Sequence, residues 1–83
     1  MPYIEQKKRF ALDKIVEEML DAGLNAPNGN LNYVLFKLAK IIQPSYNNYK
    51  NYIGELNECV AEIRRKILGP YEDKKEQENG QVL

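Results

Sequence analysis

Histidine is absent from this sequence of 83 residues and cysteine occurs once, as Cys59, so its chemistry is restricted from the start. The missing imidazole removes the usual general base near neutral pH, and the usual ligands of zinc and copper are missing as well. A single cysteine cannot close a disulfide within the chain. There is no apolar signal-like start and no membrane-length apolar run, so we expect a cytoplasmic protein with no cofactor and no membrane partner.

Net charge is also missing, because 12 Lys and Arg balance 12 Asp and Glu. Nothing therefore favours nonspecific adhesion to a polyanion, and we do not expect the chain to coat DNA. At this length a folded monomer buries about 60% of the surface that its unfolded chain exposes, which barely offsets the entropy of ordering. We expect a single core, a binding function rather than catalysis, and a homo-oligomer.

Apolar residues recur at steps of three and four between prolines and glycines, which predicts an all-α chain of three helices. The first helix is predicted from about Lys14 to Ala22, with Asp13 as N-cap and Gly23 as the left-handed C-terminal cap. The charged segment 5–10 either joins this helix or forms a separate turn. The core stripe of the helix comprises Leu12, Ile15, Val16, Met19 and Leu20.

The second helix is predicted to follow a loop over 24–30, which contains Pro27 and the turn-forming pair Asn28-Gly29. Asn30 is its expected N-cap, and Gln43-Pro44 ends it. Its apolar stripe comprises Leu31, Val34, Leu35, Leu38, Ala39 and Ile42. Other apolar residues, Tyr33, Phe36 and Ile41, lie away from this stripe. The helix is therefore either central in a bundle or in contact with a second subunit, and we favour the subunit contact.

The third helix is predicted as the longest, from about Tyr46 to Leu68, with Ser45 as N-cap and Gly69-Pro70 as the stop. Its apolar residues alternate steps of four and three: Tyr49, Ile53, Leu56, Val60, Ile63 and Ile67. Such a seam predicts an antiparallel hairpin with the second helix or a helix-to-helix dimer. A close backbone approach would offset the cost of Gly54 in this helix. We expect Cys59 to be a small buried side chain near the seam rather than a nucleophile.

These elements predict a small three-helix bundle with a long C-terminal helix in an antiparallel hairpin, assembled into an oligomer. Residues 1–69 form the single helical domain, and 70–83 form a polar C-terminal tail. The predicted interface comprises Tyr33, Phe36, Tyr49, Ile53, Leu56, Val60 and Ile63.

The most unusual local composition is the run of tyrosine, asparagine and lysine over 45–52. Tyrosine stacks on bases, asparagine pairs with base edges, lysine meets phosphate, and a helix N-terminus attracts anions. The alternative is that these residues flank the seam, cap the helix and solvate it. Two arginines at the end of this helix either interact with its dipole or bind phosphate as a fork. The predicted ligand residues are Tyr46, Asn47, Lys50, Arg64 and Arg65.

Acidic pairs one helical turn apart, Glu18 with Asp21 and Glu55 with Glu58, suggest a possible magnesium site. All-α nucleotide pyrophosphohydrolases hold magnesium with carboxylates from two helices. Such pairs are more often a solvated helix face, and their order and number match that enzyme pattern poorly, so we expect no metal site.

Several short motifs are distinctive in combination. They are Met1-Pro2-Tyr3-Ile4, Asn30-Leu31-Asn32-Tyr33-Val34, the run from Ile53 to Val60, Arg64-Arg65, Pro70-Tyr71-Glu72-Asp73-Lys74 and Asn79-Gly80. Over nearly its whole length the chain resembles a family of small uncharacterised proteins from bacteriophages and bacteria. This resemblance implies a phage or prophage origin, with the cytoplasm of the host cell as the location, and brings no established activity.

A second likeness concerns Leu56-Asn57-Glu58 followed by Ile63-Arg64. The spacing is similar to that in the C-terminal hairpin of phage anti-defence sponges, which are helical oligomers that sequester cyclic nucleotide signals. It covers barely a third of the chain. The resemblance implies sequestration of a ligand of that class.

Three hypotheses follow from the sequence. In the first, an oligomeric phage-type binding protein holds a small anionic or nucleotide-like ligand near Lys50 and the arginines of an adjacent subunit. In the second, the chain is an adaptor or inhibitor that docks on a host protein through Tyr33 and Phe36. The third, which we consider the weakest, is a magnesium-dependent nucleotide hydrolase.

Overall fold

The computed structural model describes residues 4–26 and 28–82 of the chain. Over these ranges it contains helices and no strand: α1 (Gln6–Asp21), α2 (Asn30–Ile41), α3 (Tyr46–Ile63), a π-helical turn (Arg64–Leu68) and α4 (Gly69–Asn79). The last three follow one another without a break, so that 46–79 is one helical run of 34 residues. The prediction of an all-α chain of three helices, the last one long, is confirmed.

The chain divides into two compact units, Met1–Gln43 and Pro44–Leu83. The first unit contains α1 and α2, and the second contains the long helical run. The loop between α1 and α2 is present as predicted, although Pro27, its expected turn former, lies outside the described residues.

Helix α1 begins at Gln6, well before the predicted start at Lys14. The segment from Gln6 to Asp21 contains neither glycine nor proline and is rich in strong helix formers, so nothing interrupts the helix there. Asp13 is an interior residue, and its predicted role as N-cap is wrong. The N-cap position is held by Glu5, whose side chain makes no capping hydrogen bond. The charged segment 5–10 therefore joins the first helix.

The end of α1 is built around Gly23, whose φ of +77° lies in the left-handed region that favours glycine. The backbone N–H of Leu24 donates to the carbonyl of Met19 at 2.9 Å, and that of Gly23 donates to Leu20 at 3.0 Å. These two bonds form a Schellman motif, so the predicted cap is confirmed. Among the described residues, Leu24 is the one apolar side chain that is buried, at 9% exposure.

Two asparagines join the end of α1 to the start of α2. The side-chain amide of Asn30 donates to the carbonyl of Ala22 at 3.0 Å, and Oδ1 of Asn28 accepts from the backbone N–H of Asn30 at 3.0 Å. Asn30 is the first residue of α2, and Gly29 holds the N-cap position. The predicted capping by Asn30 is therefore wrong, because its side chain satisfies a carbonyl left over at the end of α1 instead.

The start of the long helical run agrees with the sequence prediction. The hydroxyl oxygen of Ser45 accepts from the backbone N–H of Asn48 at 3.0 Å, which confirms Ser45 as the N-cap of α3. Capping of this kind satisfies one of the amides that lack a partner in the first turn.

The predicted stop at Gly69-Pro70 is wrong, because the helix continues to Asn79. Proline lacks an N–H, and its ring clashes with the carbonyl four residues earlier in a regular α-helix. Here the N–H of Gly69 donates to the carbonyl of Arg64, five residues earlier, and this wider π turn accommodates the ring. A Cβ on Gly69 would lie 3.0 Å from that same carbonyl oxygen. The division into a domain over 1–69 and a polar tail over 70–83 stays a prediction.

Candidate functional site

The predicted ligand residues lie on the same helical run but at opposite ends of α3. Tyr46, Asn47 and Lys50 are in its first turns, whereas Arg64 and Arg65 begin the π-helical turn. At 1.5 Å per residue, Tyr46 and Arg64 are separated by about 27 Å along the helix axis. One chain does not bring the two groups together, so a site that contains both requires a second copy.

At the start of α3, the ammonium of Lys50 lies 6.0 Å from the centre of the Tyr46 ring, which is the outer limit of a cation–π contact. Tyr46 is 80% exposed, so its ring is available for stacking. At the other end, Arg65 forms an ion pair with Glu62 at 2.5 Å. This ion pair partly neutralises the positive charge that an anionic ligand would need.

The predicted interface on α3 is open to solvent. Ile53 is 56% exposed, and Tyr49, Val60 and Ile63 are also exposed, while Leu56 is half-buried. Cys59 is exposed as well, so the prediction of a buried thiol is wrong. The physical reason is its angular position, since it precedes Val60 by one residue and so lies about 100° around the helix, at the edge of the seam.

The other predicted interface residues, Tyr33 and Phe36, form a surface on α2 together with two lysines. The ammonium of Lys37 lies 5.6 Å from the centre of the Tyr33 ring, and that of Lys40 lies 5.8 Å from the centre of the Phe36 ring. Both aromatic residues are 64% exposed. We call Tyr33, Phe36, Lys37 and Lys40 the aromatic–lysine face.

The aromatic–lysine face is assembled by helical spacing alone. Its residues occupy positions i, i+3, i+4 and i+7 of one helix, which share a side. The apolar stripe that begins at Leu31 lies on the opposite side. The four side chains border an open depression of about 240 Å³. Lys37 and Lys40 are the charged residues of α2, which contains no acidic residue, so the face carries positive charge.

Sequence reasoning found the two rings of this face but missed Lys37 and Lys40. The signal was present, because a lysine follows an aromatic residue at i+4 repeatedly along the chain. The structure shows the ring and the ammonium in contact for Phe10 with Lys14, Tyr33 with Lys37, Phe36 with Lys40, Tyr46 with Lys50 and Tyr71 with Lys75. A search for this spacing would have extended the predicted interface.

The carboxylate pairs considered for magnesium lie on separate elements, Glu18 and Asp21 on α1 and Glu55 and Glu58 on α3. Within 4–26 and 28–82, no three histidine, cysteine or acidic residues are grouped in a way that could hold a metal ion. Over the same ranges, no helix combines the length and the apolar character that crossing a membrane requires.

A family model described as a domain of unknown function, DUF6899, matches residues 1–82. The chain belongs to this family. The predicted resemblance to a family of small uncharacterised proteins is confirmed to that extent, while the phage or prophage origin and the likeness to anti-defence sponges stay predictions. No curated protein and no solved structure matches the chain.

Two candidate surfaces of this DUF6899 chain differ in how complete they are. The aromatic–lysine face of α2 is contained in one helix and needs no other element to bring its four residues together. The ligand residues of α3 are divided between the two ends of that helix. The α2 face is therefore the better defined candidate.

Proposed function

We propose that the chain is a non-enzymatic adaptor or inhibitor that docks on a partner protein through the aromatic–lysine face of α2. The observation that carries this proposal is the 64% exposure of both Tyr33 and Phe36 on one face of a helix. Aromatic side chains supply much of the binding energy of protein interfaces, and contiguous exposed apolar surface marks interaction sites.

The geometry favours a protein partner over a small molecule. Pockets that enclose drug-sized ligands have volumes of roughly 300–1,000 Å³. The open depression beside Tyr33 and Phe36, at about 240 Å³, is too small to surround such a ligand. Residues at i, i+3, i+4 and i+7 instead match the way in which one face of a helix inserts into a groove on another protein.

Lysine contacts also prepare the two rings for binding. The ammonium of Lys37 donates to the hydroxyl of Tyr33 at 3.4 Å in addition to lying over the ring. A side chain that is already restrained loses less conformational entropy when it enters an interface. The lysines would then lie at the rim, where charge affects the rate of association and the choice of partner more than the affinity.

The test is a quantitative pull-down from host lysate with wild type, Tyr33→Ala and Phe36→Ala as baits. Phe10→Ala is a matched control, because Phe10 is also an exposed ring, with Lys14 4.7 Å from its centre. We expect a partner that wild type and Phe10→Ala capture equally and that the two α2 variants lose. A Phe36→Asp bait that retains every partner would contradict the proposal.

A second candidate function is sequestration of a small anionic or cyclic nucleotide by an oligomer. The exposed Tyr46 ring with the Lys50 ammonium beside it supports this candidate, since it offers a stacking surface and a cation at a helix N-terminus. The arginines of an adjacent copy would complete the site, because those of the same chain are too far away.

Isothermal titration against a panel of cyclic dinucleotides and trinucleotides tests this candidate. We expect heat of binding that Lys50→Ala and Arg64→Ala abolish and that Lys75→Ala leaves unchanged. Lys75 is a suitable control because its ammonium contacts the Tyr71 ring at 5.6 Å in the same manner. The absence of heat with every member of the panel would count against sequestration. For either function we propose a cytoplasmic location, since the exposed thiol of Cys59 fits a reducing compartment.

A further inference from the structure

The apolar seam of α3 consists of Tyr49, Ile53, Leu56, Val60 and Ile63. It belongs to the unit Pro44–Leu83, whose described residues form one helical run followed by a short end segment. Because the described part of that unit contains one helical run, it has no second helix that could cover the seam. Apolar surface that recurs at this spacing is the kind that packs against another helix.

The residue types along the seam indicate which helix that is. Steps of four and three place Tyr46, Ile53 and Val60 at the a positions of a heptad, and Tyr49, Leu56 and Ile63 at the d positions. In parallel coiled coils, β-branched residues at a with leucine at d favour two helices rather than three or four, and the central layers Ile53, Leu56 and Val60 follow this rule. The seam ends at Ile63, because the π-helical turn over Arg64–Leu68 changes the phase of the helix before Ile67.

The charges beside the seam agree with a parallel arrangement. The e and g positions within α3 are Lys50, Tyr52, Asn57 and Cys59, and the acidic residues lie at the outer positions. In a parallel pair in register, Tyr52 faces Asn57 of the second copy, and no like charges oppose each other. In the antiparallel register that anion sequestration requires, Lys50 would lie beside Arg64 of the second copy, and these like charges repel.

We propose that the occupant of this seam is α3 of a second copy, parallel and in register, as a two-stranded coiled coil over Tyr46–Ile63. The pairing places Tyr49 against Tyr49 and Leu56 against Leu56 along the dimer axis. It leaves the acidic residues of α3 on the outside. This inference goes beyond docking through α2 and does not depend on it, because the seam and the aromatic–lysine face lie on different helices.

Disulfide trapping tests the direction of the pair. Tyr49→Cys is introduced into a Cys59→Ser background, and Glu58→Cys in the same background is the control on the outer side of α3. We expect light scattering to give the mass of a dimer, and oxidised glutathione to link Tyr49→Cys chains covalently while Glu58→Cys chains stay separate. In the antiparallel register with Lys50 beside Arg64, the two positions 49 would be offset by about 24 Å along the helix axis, which is too far for a disulfide.

A second variant leaves the seam intact in case Tyr49→Cys does not fold. Lys74→Cys in the Cys59→Ser background is spin-labelled, and the distance between the two labels is measured by pulsed electron resonance. The parallel pair predicts a short distance, since paired helix axes lie about 10 Å apart, whereas an antiparallel pair predicts about 50 Å. The long distance would overturn the inference. A monomeric mass at every concentration would do so too.

Discussion

At the scale of single residues, two glycines of the long helical run have different surroundings. At Gly54, in the middle of α3, a Cβ would meet no described atom within 4 Å apart from the helix's own backbone. The close backbone approach that would offset the cost of this glycine is therefore not present among the described residues. At Gly69 a Cβ would lie 3.0 Å from the carbonyl oxygen of Arg64, so glycine makes room for the π-helical turn.

We predict that Gly54→Ala stabilises the chain and that Gly69→Ala does not. Alanine is favoured over glycine inside a helix by about 1 kcal/mol, which corresponds to a rise of about 4–8 °C in melting temperature for Gly54→Ala. Gly69→Ala loses this gain, because the backbone carbonyl it would crowd belongs to the same turn and cannot easily move. Thermal unfolding followed by circular dichroism measures both. An equal rise for Gly69→Ala would show that the π-helical turn does not need glycine.

At the scale of elements, apolar spacing located the helices, but their ends depended on contacts that spacing does not reveal. Ser45 and Asp13 are both good N-cap types, yet Ser45 alone has a proline before it to keep the chain from entering a helix earlier. The sequence before Asp13 is itself helix-forming, so α1 passes through it. Gly69-Pro70 is equally ambiguous, because a π turn can carry a helix past a proline.

Substitution to alanine tests which of the two predicted N-caps stabilises its helix. We expect Ser45→Ala to cost about 1 kcal/mol, since it leaves the N–H of Asn48 without its side-chain acceptor. Asp13→Ala should change the free energy of unfolding by less than about 0.5 kcal/mol, because Asp13 is interior to α1 and caps nothing. Urea unfolding of both variants at equal protein concentration provides the comparison. A larger loss for Asp13→Ala than for Ser45→Ala would reverse the assignment.

At the scale of the whole molecule, the sequence predicted the exposure of Tyr33 and Phe36 but not that of the apolar stripes. Their positions away from the apolar stripe of the second helix predict that Tyr33 and Phe36 are exposed, and both are. Several residues expected on the apolar stripes are exposed in the structure: Leu12, Ile15, Val16, Leu20, Leu31 and Leu38. Lys37 and Lys40 were missed, because their partners are side chains one turn away rather than residues of a recognised motif. The grouping of Lys50 with Arg64 stays a prediction, since it depends on a second chain.

Covering the seam of α3 stabilises the fold, and the contacts that cover it come either from the same chain or from another copy. Protein concentration distinguishes these two sources. If a second copy covers it, folding is linked to association, and a 100-fold rise in concentration stabilises the dimer by about 2.7 kcal/mol. For a dimer of this size we expect the melting temperature to rise by roughly 5–10 °C over that range. Tyr33→Ala should show the same dependence, because the aromatic–lysine face lies outside the seam. A melting temperature that is independent of concentration in wild type would instead indicate that a single chain folds without a second copy.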